Sequence, residues 1–555
     1  MKKKQKDKLF ENLPACAADF IKLVIKKMRY RKKVRANVQA ELTAHFEDEL
    51  KDYKNNEEKT QKAQKMITDF GDVKLLAVLL RRAKKRCRPL WRTIVARTFQ
   101  TIGVLIVCFI LYAVWFLIGK PIITTNYVEV MNETAKPFAD VDPNLNARTY
   151  YYKAAEVLEQ KKEEDRHYSD VVHIKSSEAT SEDKEKIEQW LKDNKELLDM
   201  IAAGSRLPYY WPEYKTGEEE NSTEAIAILM PHLASYRTFV KAICWRAGLK
   251  AEKGDFEGVF DDLLTCYRVG RHLKGDMTLG EQLVGIAIEA LATEGIKKVL
   301  SLYEIDPALL AKLQNDFENL VANEDFVISF DQEKFFFYDE VQRSFTVDRI
   351  GGGHLYLKRV GHIGALMGPS FRQNKLKFLL YLLFLHPDKQ ATLDAVNKFY
   401  NNLEQLALMS PAKQKAENID IEKQLEQYCK GSLFLELLVP EFSHVIQLIQ
   451  LGYRNKAQIQ ATPLIIAIHR YEQDFGNLPD NLDAIEKSGY IKKLPIDPFS
   501  DKPLVYKKTN DGFTVYSVGL NFIDDGGKVY RDEDGSVRLW DRDEGDAVFW
   551  PVMGK

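Results

Sequence analysis

The chain has 555 residues, of which 45% are apolar and 29% are charged, a balance that is typical of folded proteins and excludes a mainly disordered chain. Its net charge of −1 conceals two oppositely charged parts. Residues 1–97 contain 27 Lys and Arg against 12 Asp and Glu, whereas the rest contains 53 against 69. Opposite charge in the two parts indicates two environments, and the length allows for three or four domains.

Residues 1–90 are predicted to form a small helical domain. Apolar residues recur at helical spacing over 34–46 and again over 63–70. The pair Gly71-Asp72 then ends one helix and caps the next. His45 lies among acidic residues, but no second His or Cys stands at metal-ligand spacing, so we interpret it as a capping or helix-face histidine.

Residues 31–80 resemble the HAAS-type helical domain of bacteria. The shared features are a basic start, a pattern like EL..H.ED, a later alanine-containing helix, and an FGD turn that precedes a membrane helix. The matching residues are Glu41, Leu42, His45, Glu47, Asp48, Phe70, Gly71 and Asp72. The resemblance implies a cytoplasmic interaction or regulatory module rather than a catalyst.

Residues 98–118 form the only long apolar run and carry no charge. A helix needs roughly 20 apolar residues to cross about 30 Å of hydrocarbon. Tyr112 and Trp115 stand toward one end, where aromatic rings favour the membrane interface. A buried core helix is the alternative, but such helices seldom run this long without a charge. We therefore predict one transmembrane helix.

The basic residues that flank this run predict its orientation. Eight Lys and Arg lie between Arg81 and Arg97, whereas only Lys120 and then Lys136 follow the run. The positive-inside rule places the N-terminus in the cytoplasm, so we expect a protein of the bacterial inner membrane whose C-terminal bulk is periplasmic. The basic cluster also suits anionic lipid headgroups. A nucleic-acid role is the rival interpretation, but topology explains the cluster, and we expect no nucleic-acid partner.

Residues 121–145 are predicted to be a polar lead-out linker, and 146–459 an extracytoplasmic helical domain. Apolar residues in the latter recur at three- and four-residue spacing, over 154–158, 187–198, 225–233, 239–249, 256–273 and 279–302. Residues 242–274 resemble one helix-turn-helix unit of a tetratricopeptide-type array, with a Gly-Asp turn. Since only one clear unit and no fixed period are present, we expect a divergent helical-hairpin bundle.

The far-side region contains three further features of interest. The stretches 378–385 and 433–451 are too short or interrupted to span a membrane, and we predict amphipathic or buried helices. The loop Gly351-Gly352-Gly353 lacks the ending of a phosphate-binding loop, so we interpret it as a flexible turn. No CxxC motif occurs. Cys244 and Cys266 either bridge two adjacent helices or remain buried thiols.

Residues 460–555 are predicted to form an α+β domain. A helix over 464–475 is followed by Gly476-Asn477-Leu478-Pro479 and by a short helix over 482–486. Polar, glycine-rich turns then separate five strand-like runs, which are 504–507, 513–518, 529–530, 537–539 and 548–550. The whole chain is thus expected to be mainly α, with a C-terminal α+β domain.

This domain resembles the soluble domain of the major pseudopilin of type II secretion. The matching residues, in order, are 467–471, Gly476, Pro479, Leu482, Gly489-Tyr490-Ile491, Leu494-Pro495, Asp497-Pro498, Lys502-Pro503-Leu504, 516–519, Asp524-Asp525-Gly526, Asp546 and Trp550. A pilin stem is apolar, whereas the helix here contains His469, Arg470 and Glu472. It cannot enter a membrane as a stem does, so we do not expect a fibre. The overall arrangement is similar to multi-domain membrane proteins of the bacterial group that includes planctomycetes.

The pseudopilin resemblance also implies calcium in the last loops. Calcium takes six to eight oxygen ligands, which a carboxylate-rich loop can supply. Carried over residue by residue, the candidate side-chain ligands are Asp524, Asp525 and Asp546, with backbone oxygens near Leu520 and with Asp541 and Asp543 in reserve. The alternative is an acidic solvated hairpin, because two aspartates in one loop are common without a metal.

The sequence contains no HExxH, GxSxG or P-loop pattern and no Cys/His cluster, so we do not expect an enzyme. Sites assembled from distant residues escape such a search, and an enzyme hidden in 146–459 stays a third hypothesis. The first hypothesis is a non-enzymatic envelope scaffold that binds envelope proteins and is linked to secretion machinery. The alternative is a transmembrane signalling protein that reports envelope state to a cytoplasmic regulator.

Overall fold

The protein is described here from a computed structural model. The structure describes residues 10–86, 90–174, 179–216, 224–228, 230, 232–322, 327–347, 353–356, 358–359, 388–429, 433–532, 534–535, 537–541 and 544–552. It is mostly helical with a small C-terminal β region, which confirms the coarse fold prediction. The chain divides into two compact units, Met1–Trp115 and Phe116–Lys555. Gly351, Gly352, Asp543 and the stretch 378–385 lie outside the described residues.

The first unit begins with four helices, α1 (Ala15–Lys27), α2 (Lys32–Leu50), α3 (Asn56–Phe70) and α4 (Val73–Arg86). Their core includes the rings of Phe20, Phe46 and Phe70, which lie 5.7–6.1 Å apart. Gly71 ends α3 with a φ of +73°, and the Asp72 side chain accepts a hydrogen bond from Lys74 N at 2.8 Å. Gly71 therefore ends α3 and Asp72 caps α4, as predicted. His45 is exposed on α2.

The apolar run belongs to α5 (Leu90–Ile118). Within its segment Ile94–Ile118, a window of 18 residues has a mean hydropathy of 2.7, and only 6% of that window is buried. This helix is long and apolar enough to cross a membrane. It begins before the predicted start at Thr98, because residues 90–97, which follow Pro89, include no glycine or proline that would end a helix.

The second unit contains a helical body. Its α-helices, in chain order, are α6 (Tyr127–Thr134), α7 (Arg148–Glu164), α8 (Ser181–Asp193), α9 (Lys195–Ser205), α10 (His232–Glu252), α11 (Phe256–His272), α12 (Leu279–Leu302), α13 (Pro307–Val321), α14 (Glu333–Ser344), α15 (Lys389–Ala407), α16 (Pro411–Ala416) and α17 (Ile421–Cys429). One apolar core joins α6–α13, from Val128 to Phe317, and also includes Ile459 and Ile466. The structure therefore confirms a helical body after the apolar run.

Helices α10, α11 and α12 are the closely packed centre of this body. Gly254 turns the chain between α10 and α11 with a φ of +76°, and Asp255 caps α11 by accepting from Gly258 N at 3.0 Å. The predicted Gly-Asp turn is thus confirmed. Helices α11 and α12 approach so closely that a Cβ on Gly285 would lie 2.5 Å from Gly270 O.

Two predicted helices of the body differ from the structure. The segment 225–233 is not one helix: Ala225–Ala227 is a 3-10 turn and α10 begins at His232. Pro231 stands between them, and a proline disfavours helical geometry in the preceding residue. The segment 187–198 is split between α8 and α9 by Asn194, whose side chain donates to Trp190 O at 2.8 Å.

The body ends in α18 (Leu433–Phe475), a continuous helix of 43 residues. The sequence predicted two helices here, with a domain division at 459/460. Helix α18 instead runs through that division and through Pro463, which is buried. Before the proline, Asn455 donates to Glu289 Oε2 of α12 at 2.6 Å. After it, Leu464 and its neighbours enter the core of the C-terminal region, so α18 contributes to both cores.

In the described residues, the C-terminal region adds the short helix α19 (Leu482–Lys487) and seven strands. These are β1 (Ile496–Asp497), β2 (Lys502–Pro503), β3 (Val505–Thr509), β4 (Gly512–Ser517), β5 (Tyr530–Arg531), β6 (Val537–Arg538) and β7 (Ala547–Trp550). Strands β3, β4 and β7 form an antiparallel sheet, and β1–β2 and β5–β6 form two small antiparallel pairs. The five predicted strand runs are therefore present, with small shifts at their ends. We call residues 460–555 the C-terminal module.

Candidate functional site

The structure brings the three predicted calcium ligands together. Asp524 and Asp525 lie in the loop after β4, and Asp546 directly precedes β7, the strand that pairs with β4. The loop that precedes β7 turns at Gly545, whose φ is +84°. A Cβ on Gly545 would lie 2.7 Å from Tyr530 N, so only glycine allows the two loops to approach this closely. We call Asp524, Asp525 and Asp546 the aspartate cluster.

Each carboxylate of the cluster accepts hydrogen bonds. Asp546 is buried and accepts from Asp525 N at 3.2 Å and from Gly527 N at 2.6 Å. Asp525 accepts from Gly545 N at 2.9 Å, as well as from an asparagine side chain. Asp524 accepts from the Tyr516 hydroxyl at 2.7 Å and from a backbone N–H at 2.9 Å. The cluster therefore fastens the two loops to each other and to β4.

The charges of the cluster affect one another. Burial raises the pKa of Asp546, and the nearby carboxylates of Asp524 and Asp525 raise this pKa further. The hydrogen bond from Tyr516 lowers the pKa of Asp524. Like charges held close together repel one another unless protons, donors or a cation offset them. Backbone N–H groups provide part of that offset.

The aspartate cluster has the oxygen ligands that calcium prefers, but its geometry is that of a hydrogen-bonded loop. Among the described residues, no group of three or more His, Cys, Asp or Glu side chains is arranged to hold a metal ion. The reserve ligand Asp543 lies outside these residues. The chemistry of the donors thus fits calcium, whereas the described geometry does not require it, and calcium stays a prediction.

A polar groove of about 380 Å³ lies on the helical body between α9, α11 and α13. Its rim is formed by two ion pairs. Arg206 donates two hydrogen bonds to Asp261 at 2.9 and 3.0 Å, and Lys312 donates to Glu257 at 2.6 Å. Arg268 is half-buried in the wall, and within the described part of the chain its Nη1 has no hydrogen-bond acceptor. Sequence reasoning missed this groove, since its residues look like ordinary charges on helix surfaces.

Sequence reasoning also missed two acids at the N-terminus of α12, the buried Glu281 and the half-buried Glu333 of α14. Glu281 accepts from the Tyr214 hydroxyl at 2.6 Å and from the Thr278 hydroxyl at 2.7 Å. Glu333 accepts from Leu279 N at 2.7 Å. Burial raises the pKa of both acids. Because these hydrogen bonds cap the α12 N-terminus, we interpret the pair as a structural cap. The Thr278/Glu281 spacing is the sequence signal that predicts it.

Cys244 and Cys266 are free thiols. Cys266 is completely buried in α11, and its Sγ lies 3.8 Å from the Val240 carbonyl oxygen. The pKa of the Cys266 thiol is raised mainly by a hydrogen bond with Cys244 of α10 and, to a smaller extent, by burial. The thiols are therefore neighbours, as a bridge between adjacent helices requires, but they are not bonded.

The C-terminal module is joined to the helical body by cations that lie over aromatic rings. Lys297 of α12 lies over Phe549, and Arg454 of α18 over Trp540, with distances of 5.6 and 5.9 Å to the ring centroids. Lys415, near the end of α16, lies 4.4 Å from the centroid of the Phe522 ring. Such contacts are favourable because the face of an aromatic ring carries partial negative charge.

Hydrogen bonds supplement these contacts. Arg470 in the module part of α18 donates to Gln314 of α13 at 2.8 Å. Gln473 donates to the Ile305 carbonyl oxygen at 2.9 Å, and Ala412 N donates to the Pro498 carbonyl oxygen at 3.1 Å. The module is therefore held to the body from several sides rather than by one linker.

Comparison with protein-family models, with curated proteins and with solved structures finds no match for this chain. The pseudopilin and HAAS resemblances accordingly rest on the residues quoted for them.

Proposed function

We propose that the protein is a non-enzymatic, single-pass membrane protein that acts as an interaction scaffold in the bacterial envelope. In this proposal α5 lies in the inner membrane, the N-terminal helical domain is cytoplasmic, and the helical body and C-terminal module are periplasmic. The apolar segment Ile94–Ile118 and the surplus of Lys and Arg before it support this arrangement.

The observation that carries the proposal is the shared helix α18. Its earlier residues pack on α12 and its later residues form part of the module core. A module that is held by a shared helix and by cation–aromatic contacts keeps a fixed position on the anchored body. Fixed presentation of a binding module is what a scaffold requires, and it reduces the conformational freedom that binding would otherwise remove.

The polar groove is a second proposed contact surface. Its rim alternates basic and acidic side chains, so it suits a protein segment that carries both signs of charge. Arg268 in its wall supplies a guanidinium that fits a partner carboxylate. The pseudopilin resemblance of the module supports secretion machinery as the source of such partners.

Site-specific photocrosslinking in native membranes tests the scaffold. A photoreactive amino acid replaces one residue at a time in the full chain: Leu309 in the groove, Ile523 on the module, and Leu79 in the N-terminal domain. Ile523 and Leu79 are 57% and 51% exposed. The scaffold predicts discrete adducts with envelope proteins from Leu309 or Ile523. Val104 in α5, which is 62% exposed, is the matched control and should give none.

The same experiment distinguishes the signalling alternative. A discrete adduct that forms only from Leu79, with a cytoplasmic protein, would favour a signalling role over the scaffold. If neither Leu309 nor Ile523 gives an adduct above the level of Val104, the scaffold proposal is wrong. An adduct with a secretion component would specifically support the link to secretion.

A further inference from the structure

Four exposed apolar side chains lie in the second unit close to the end of the apolar helix. They are Ile122, Ile123, Ile226 and Val347, which are 54%, 41%, 62% and 51% exposed. Single exposed apolar residues are ordinary. These four come from three distant parts of the sequence, so the contacts that assemble them decide whether they form one surface.

The first set of contacts joins residues 116–119 to the segment that contains Val347. The Phe116 ring stacks on His354, with 4.6 Å between the centroids. A Cβ on Gly119 would lie 2.4 Å from Thr346 Cγ2, so Gly119 lies directly against the residue before Val347. The Thr346 N–H donates to the His354 carbonyl oxygen at 2.8 Å, and Phe345 and Leu355 form an antiparallel bridge. Val347 is thereby placed beside the start of the far-side chain.

The second set of contacts uses Gln342 on α14. Its side-chain oxygen accepts from the N–H groups of Thr124 and Thr125, both at 3.3 Å, and its amide nitrogen donates to the Thr125 carbonyl oxygen at 2.7 Å. Gln342 also donates to Asp339 at 2.8 Å, and Asp339 accepts from Ala225 N at 2.8 Å. The residues next to Ile123 and Ile226 are thus fastened to adjacent side chains of one helix.

Ion pairs stabilise the arrangement of these segments around α14. Arg343 donates to Asp339 at 2.8 Å. Arg359 donates to Glu340 at 2.7 Å and contacts Glu224, next to Ala225, at 3.1 Å. Half-buried guanidinium–carboxylate pairs of this kind fix geometry, because breaking one leaves a charge poorly solvated. These contacts therefore fix the backbone segments that carry the four apolar side chains.

We propose that Ile122, Ile123, Ile226 and Val347 form a membrane-proximal face that lies in the boundary between the lipid headgroups and acyl chains. The inference rests on the proposed membrane position of α5. Helix α5 ends at Ile118, and four residues span at most about 14 Å. Ile122 therefore lies within about 14 Å of the end of α5. The contacts described above bring Val347 and Ile226 to the same side of the second unit as Ile122.

The charges near this face agree with a lipid surface as its occupant. Lys120 and Lys358 are exposed and lie in the same two segments as Ile122 and Val347. Lysine ammonium groups beside a partly inserted apolar surface attract anionic headgroups. Burial of the four side chains in the boundary also removes apolar surface from water.

Depth measurements in lipid nanodiscs test the proposal on the full chain. An environment-sensitive fluorescent amino acid replaces Ile123, Ile226 or Val347 in turn, and quenching by lipids with a nitroxide near the headgroup is compared with quenching by aqueous iodide. Lipid quenching should exceed iodide quenching at all three positions. Leu408, which is 80% exposed at the end of α15, is the matched control and should show the reverse.

The outcomes separate this inference from the proposed membrane anchor. The same probe at Val104 should be quenched by lipids with a nitroxide deep in the acyl chains, and failure there would refute the anchor itself. If Val104 responds but Val347 and Ile226 behave like Leu408, the membrane-proximal face is wrong. Protection from both quenchers at Val347 and Ile226 would also overturn it, since a protein rather than lipid would then cover them.

Discussion

The ammonium group of Lys297 lies 5.6 Å from the centroid of the Phe549 ring, and Lys297 is only 4% exposed. Lys297 belongs to α12 of the helical body, whereas Phe549 belongs to β7 of the C-terminal module. Burial lowers the pKa of Lys297 to about 8. The charged form is thus disfavoured by lost hydration and favoured by the ring, and the balance depends on the module staying in place.

The first prediction concerns the pH dependence of stability. The Lys297 pKa is about 8 in the folded protein and 10.5 for a free lysine, so between these values the unfolded chain binds more protons. Stability should therefore rise with pH across that window, by at most about 3 kcal/mol at 1.36 kcal/mol per pKa unit. Lys297→Met should remove this rise and increase stability near pH 7.

Denaturant unfolding of the detergent-solubilised protein at several pH values measures the effect. Lys298→Met is the matched control, since Lys298 is the next residue of α12 and is exposed. Its pH profile should follow that of the unmodified protein. If Lys297→Met and Lys298→Met give the same profile, Lys297 is not the group responsible.

The second prediction concerns the approach of α11 to α12. In Gly285→Ala the new Cβ would lie 2.5 Å from Gly270 O, which is a backbone atom that can move only with its helix. The free energy of unfolding should fall by about 1–3 kcal/mol, the usual cost of overpacking. Gly280→Ala in the same helix meets nothing closer than 3.8 Å and should be neutral or stabilising by up to about 1 kcal/mol. Equal losses would contradict this packing.

The third prediction concerns the aspartate cluster. If calcium binds there, it should raise the melting temperature of the protein, and magnesium should raise it less because it requires a tighter octahedral shell. At a hundredfold excess over the dissociation constant the gain is about 2.7 kcal/mol. The double substitution Asp524→Ala with Asp525→Ala should abolish the calcium effect.

Asp480→Ala is the control for this measurement, because the Asp480 side chain is 92% exposed and lies elsewhere in the module. It should leave the calcium response intact. An unmodified protein whose melting curve does not move with calcium would establish the acidic hairpin alternative, in which backbone N–H groups alone satisfy the carboxylates.

The fourth prediction concerns topology. The surplus of Lys and Arg before α5 predicts that the N-terminus is cytoplasmic and the C-terminus periplasmic. A phosphatase reporter that folds only outside the cytoplasm should be active when fused after Lys555 and inactive when fused before Met1. The reverse pattern would show that the orientation is inverted.

Local signals in the sequence predicted the features that depend on neighbouring residues. The Gly71 stop, the Gly254 turn and the apolar run of α5 each follow from a few adjacent residues. The meeting of Asp524 and Asp525 with Asp546 was anticipated only through a family resemblance, because the intervening loop and strands set that distance.

Features that depend on distant contacts were not predictable from the pattern. Lys297 resembles any polar residue on a helix until β7 packs over it. Pro463 is a strong helix-breaking signal. Helix α18 nevertheless continues through it, because the residues before and after the proline are buried in the two cores. The polar groove and the ties through Gln342 are likewise formed by residues far apart in the sequence, for which spacing gives no signal.

Helix α18 has a consequence for how the protein responds to pulling forces. At 1.5 Å per residue its 43 residues extend about 65 Å. A force on the C-terminal module would pass along the helix axis into the centre of the body, without a slack linker to absorb it. The module and the body should therefore yield together in a single rupture event.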